Sequence, residues 1–74
     1  TTDRERAALD ELAMMYADGR MPAGRYVYVM RATQDAPLAA NHAALAIAMR
    51  KHLSADHFAV LTEAARAAGA ELPG

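Results

Sequence analysis

Three histidines, a lone serine and a short run of arginines among tyrosines are the residues here whose chemistry reaches beyond packing. His42, His52 and His57 are candidate zinc ligands, with Asp56 and Glu63 as nearby carboxylates. A zinc site needs three or four ligands at about 2.0–2.3 Å, usually supplied by paired motifs such as HExxH. No such pair occurs. His42 and His52 are ten residues apart, which is about 15 Å along a helix and too far to share an ion. His52 and His57 flank Ser54 and can approach each other, yet two ligands do not make a site. The plainer roles are dipole complementation by His52 and a solvated first-turn position for His57. No metal and no cofactor are expected.

Nucleophilic catalysis has less to work with. Ser54 stands before Ala55-Asp56-His57, the setting of a helix N-cap. No GxSxG, P-loop or dinucleotide fingerprint is present. The chain has no cysteine, so it has no thiol nucleophile, no thiolate ligand and no disulfide. Thr1 has the type of an N-terminal nucleophile, but nothing around it supports a hydrolase. The chain is expected not to be an enzyme.

Arg20, Arg25 and Arg31 interleave with Tyr26 and Tyr28, a local excess of positive charge on a chain of net charge −1. Cations beside aromatics suit nucleic acid. As a strand, residues 25–31 of two chains would pair into a ribbon followed by two helices, with Arg25 and Arg31 in the major groove. As a helix, they would belong to a helix-turn-helix. Against both stand a pI near 6.2 and eight basic residues facing nine acidic ones. A small dimeric DNA-binding regulator, of ribbon-helix-helix or helix-turn-helix type, is therefore the alternative reading.

The favoured reading rests on Tyr26, Val27, Tyr28, Val29 and Met30, five consecutive apolar residues. They cannot all face one small core, so part of the run must meet another chain or be covered on both sides. Tyr and Met are also enriched at interfaces. These five are the candidate partner-binding residues, with homo-oligomerisation, most simply a dimer, as the expected use.

The elements that must position these residues are mostly helical. Thr2 and Glu5 have capping-box spacing before a helix over about 3–18, whose stripe is Leu9, Leu12, Met15 and Tyr16. Gly19 and Pro22 end it. Residues 22–34 read as a second helix forming an antiparallel hairpin with the first, although 25–31 are rich in β formers and a strand stays open. No second strand is visible to pair with it. Asp35 and Pro37 start a third helix over 37–53, with cations in its last turn. Ser54 caps a fourth over 55–68, which Gly69 ends. The fold expected is all-α, four short helices in a small bundle. Its core is expected to hold Leu9, Leu12, Tyr16, Tyr26, Met30, Leu45, Met49, Phe58 and Leu61.

The segment Leu9-x-x-Leu12-Ala13-x-Met15-Tyr16-Ala17-Asp18-Gly19-Arg20-Met21-Pro22, followed by Tyr26, resembles the hairpin of SHOCT domains. It is also similar to a short actinobacterial domain at the N-termini of membrane-associated proteins, which often opens like Asp3-Arg4-Glu5-Arg6. The matching positions are Gly19, Met21, Pro22 and Tyr26, and the likeness covers roughly the first thirty residues. Gly24-Arg25 stands where acidic residues are usual, and Val27 and Val29 replace polar positions. The resemblance implies a helical hairpin that serves interaction or oligomerisation without catalysis.

Composition bounds the rest. At 74 residues the chain is a single small domain, of a size that buries only about 60–65% of its unfolded surface. Hydrophobic residues make up 54%, half of them alanine, which favours helix more than core. The larger apolar residues crowd between Leu9 and Met30. No apolar run approaches the roughly 18 residues of a membrane span, so no membrane insertion is expected. Neither an initiating Met nor a signal peptide begins the chain, so it reads as a fragment or processed product, with Glu71-Leu72-Pro73-Gly74 as the start of a linker. The expectation is a cytoplasmic, non-catalytic interaction or oligomerisation module of a bacterial or phage protein.

Overall fold

The first helix is fixed at both ends by its own sequence. In the computed structural model, which describes residues 2–72, α1 runs Asp3–Ala17. Thr1 and the Pro73-Gly74 end of the expected linker lie outside the described residues. The Thr2 hydroxyl accepts from the Glu5 amide at 3.1 Å, and Glu5 accepts from the Thr2 amide at 3.0 Å. That reciprocal pair satisfies two of the amide donors a helix start leaves open. At the other end Gly19 takes φ +77°. Its amide donates to Tyr16 and the Arg20 amide donates to Met15, the two bonds of a Schellman stop, where the left-handed residue is best a glycine.

Residues 25–31 are helix, not strand. Helix α2 spans Ala23–Ala32, after Pro22 in an extended conformation. The helical period places Tyr26, Val27 and Met30 on one buried face, and internal hydrogen bonds satisfy a backbone that a lone strand would leave open. Thr33 closes α2, its hydroxyl turned back to the Met30 carbonyl at 3.0 Å. The third helix departs slightly from expectation. Ala36–Leu38 is a 3-10 turn, and α3 spans Ala39–His52. Asp35 precedes that turn without a side-chain capping bond. Pro37 fits its tight first turn, where an absent amide donor costs nothing. Ser54 caps α4, Ala55–Ala68, by accepting from the His57 amide at 3.2 Å. Gly69 ends it at φ +71° by the same pair of bonds as α1.

The four helices form a small all-α bundle in which α1 packs chiefly along α3 and α2 along α4. The hairpin turn joins α1 to α2, but each finds its main partner later in the chain. Tyr26, Met30, Leu45, Met49 and Leu61 are the largest side chains wholly removed from solvent. Two expected core residues, Leu12 and Phe58, are only half-buried and pack against the edge of this cluster. Their place is partly taken by alanines: Ala13, Ala46, Ala48 and Ala65 are buried. A methyl group at a helix contact lets the backbones approach closely. The alanines therefore do more than favour helix, which corrects the expectation that they add little to the core. Cross-links from the far end complete the packing: Asn41 donates to Glu5 at 2.9 Å, and the Glu71 amide donates to the Gln34 side chain.

Candidate protein-docking surface

Of the five apolar residues Tyr26 to Met30, three belong to the core. Tyr26, Val27 and Met30 are buried, so they cannot meet a partner, and the candidate surface contracts to Tyr28 and Val29. The helical period explains the split. Tyr26 and Met30 stand one turn apart on the inner face, with Val27 beside them. Tyr28 points away from them and keeps 75% of its surface exposed, while Val29 is half-buried at the margin.

At 100° per residue, Arg25 and Arg31 sit about 60° to either side of Tyr28. The outer face of α2 is thus an aromatic ring flanked by two guanidinium groups. Both arginines are exposed, and neither makes an ion pair among the described residues. The helix carries no carboxylate. Gly24 shares this face and adds no side chain. Along the side toward α1, Leu12, Met21, Arg25, Tyr28 and Val29 line a shallow open groove. Arg20 does not join this surface chemistry as a free cation. It is in the turn, 3.0 Å from Asp18. The three arginines therefore separate into a self-paired Arg20 and an unpaired Arg25 and Arg31. With residues 25–31 helical, no strand occurs among the described residues from which an intermolecular ribbon could be built.

The histidines are each engaged in structure. His52 Nε2 lies 2.9 Å from Asp10, tying the end of α3 to the middle of α1, and Lys51 approaches the same carboxylate at 3.8 Å. His42 Nδ1 lies 2.9 Å from the Thr33 hydroxyl. His57 Nδ1 lies 3.0 Å from the Ser54 hydroxyl at the start of α4. No group of three or more metal-ligating side chains forms among the described residues. Around His57 the core turns aromatic. The Tyr16 hydroxyl donates to the His57 carbonyl at 3.1 Å, and the Tyr16 ring stands 5.4 Å from that of Tyr26. The Tyr26 hydroxyl is buried without a hydrogen-bond partner among the described residues. Burial pushes both phenols up from their ordinary value, and Tyr16 adds to the rise at Tyr26. A phenol so shifted holds its proton throughout the neutral range and does no acid–base work there.

Besides Tyr28, four large apolar residues that sequence reasoning did not single out are exposed: Met14, Leu38, Ile47 and Val60, the last two most of all. Ile47 on α3 is 61% exposed, beside a groove that Arg6, Ala7, Asp10 and Ala44 help to line. Val60 on α4 is 56% exposed. The signal was present at Val60, whose neighbours four before and three after are Asp56 and Glu63. No helix among the described residues is long and apolar enough to cross a membrane. Set beside known proteins, the chain matches no family model, no curated protein and no solved structure.

Proposed function

We propose that the chain is a non-catalytic docking module that binds another polypeptide through the outer face of α2. The observation that carries this reading is Tyr28, exposed between Arg25 and Arg31 at the rim of an apolar groove. A large aromatic held on a helix costs little conformational entropy to bury, and Tyr and Arg are the residue types that most often dominate binding energy. The rigid scaffold adds to this, since the other side of α2 is locked into the core through Tyr26 and Met30. The likeness of the α1–α2 segment to SHOCT hairpins points the same way. The DNA-binding alternative retains Arg25 and Arg31, on a chain whose net charge is −1. A cytoplasmic setting is part of the same proposal.

Site-specific photo-crosslinking in living cells tests the proposal. A photoreactive phenylalanine analogue in place of Tyr28 is expected to give a discrete adduct with a polypeptide identified by mass spectrometry. The same analogue in place of Arg50, exposed on α3, is expected to give none. No polypeptide adduct from position 28, or equal adducts from both positions, would overturn the reading.

A further inference from the structure

The exposed faces of α2 and α4 complement each other. On α2, Tyr28 stands between Arg25 and Arg31. On α4, Val60 stands between Asp56 and Glu63, at i, i+4 and i+7 along one exposed face. The two arginines are six residues apart and the two carboxylates seven, which is about 9 Å and 10.5 Å of axial rise. Each stripe therefore places an apolar side chain between two like charges at nearly the same spacing, and the signs are opposite. Arg66 lies 3.0 Å from Glu63, but both side chains are more than 70% exposed, so that pair is weak and readily exchanged for a better one.

We propose that the partner of α2 is a second copy of this chain, in a two-fold dimer where α2 of each protomer lies on α4 of the other. The proposal rests on the reading of α2 as the docking face. Val60 of one protomer enters the groove that Leu12, Met21 and Val29 form in its partner. The two stripes sit on neighbouring helices, α2 and α4, which pack against each other, and a two-fold pair uses both at once. A head-to-tail use of the same stripes would instead leave one of each unpaired and propagate.

Charge reversal gives the test. One variant carries Arg25→Glu with Arg31→Glu, and the other carries Asp56→Lys with Glu63→Lys. All four positions are exposed, and circular dichroism checks that both variants fold. Light scattering at low ionic strength is expected to show a wild-type dimer. Each variant alone then sets like charges against each other at both contacts, and its dissociation constant is expected to rise at least about tenfold. An equimolar mixture restores opposite charges at both contacts and is expected to return to dimer mass. A monomeric wild type, variants that still dimerise, a mixture that stays monomeric, or a ladder of larger species would each overturn the proposal. A monomeric wild type whose position 28 still crosslinks to a different polypeptide overturns only the second copy as partner. A monomeric wild type with no adduct at all removes the docking face as well.

Discussion

Tyr26 and Tyr16 show how much a single hydroxyl matters in so small a core. Both rings are buried and lie 5.4 Å apart, but only Tyr16 finds an acceptor, the carbonyl of His57. Burying a hydroxyl without a partner costs roughly 1–3 kcal/mol, whereas a satisfied one contributes about 1 kcal/mol net. Tyr26→Phe is therefore expected to stabilise the fold by about 1 kcal/mol, since it deletes an unpaired polar atom and leaves the ring in place. Tyr16→Phe should act in the opposite direction by a similar amount, because it removes a satisfied hydrogen bond to the His57 carbonyl. Urea denaturation of the two variants checks the pair of signs. A Tyr26→Phe variant less stable than wild type would mean that its hydroxyl is hydrogen-bonded. The sequence showed both tyrosines as core residues but not which hydroxyl would be satisfied. That depends on α1 meeting the start of α4, a contact between residues 41 positions apart.

Capping makes the ends of α1 and α4 legible, and α1 converts its cap into a pH dependence. The backbone amide of Thr2 holds the Glu5 carboxyl down from the ordinary 4.5 to about 2, with further help from the Asn41 amide and the Thr2 hydroxyl. A carboxyl whose pKa is lower in the folded state lends stability that is complete above its unfolded value. That stability is lost as pH falls through the folded value. The thermal midpoint of the wild type is thus expected to fall between pH 4.5 and pH 2. In Glu5→Ala that part of the decline should be smaller. Melting curves across this window decide it, and identical slopes in the two proteins would remove Glu5 as a source. The capping-box half of this contact was readable from Thr2 and Glu5 alone. Asn41 was not, because it reaches Glu5 from α3. The same division runs along the chain. Gly19, Ser54 and Gly69 signalled their helix ends by local chemistry. The strand-or-helix ambiguity of residues 25–31 could be resolved only by what α2 packs against. Once Tyr26, Val27 and Met30 join the core, Tyr28 must face outward, so the burial of most of the run and the exposure of Tyr28 have a single cause.

At the scale of the whole molecule, the pairing of helices differs from their order along the chain. The α1–α2 connection looks like a self-contained hairpin, and the resemblance to hairpin domains encourages that view. Yet α1 packs its buried face chiefly on α3, and α2 packs its own chiefly on α4. Neither half of the chain then has a core of its own, because the buried cluster draws Leu9 and Tyr16 from α1, Met30 from α2, Leu45 from α3 and Leu61 from α4. Isolated helices of ten to fifteen residues are marginal in water, and amphipathic packing supplies most of their stability. Peptides covering residues 1–34 and 35–74 are therefore expected to be largely unfolded when separate. Mixed, they should regain helix, since the cut falls between α2 and the 3-10 turn and breaks no helix. Far-ultraviolet circular dichroism of each peptide and of the mixture is the measurement. Full helicity in residues 1–34 alone would show that the hairpin is an independent unit, and that the crossed pairing of α1 with α3 and α2 with α4 is not what holds the fold. Gain of helix only on mixing would place the cooperative unit at the whole chain. The proposed docking face of α2 would then exist only while the packing of α2 on α4 is intact.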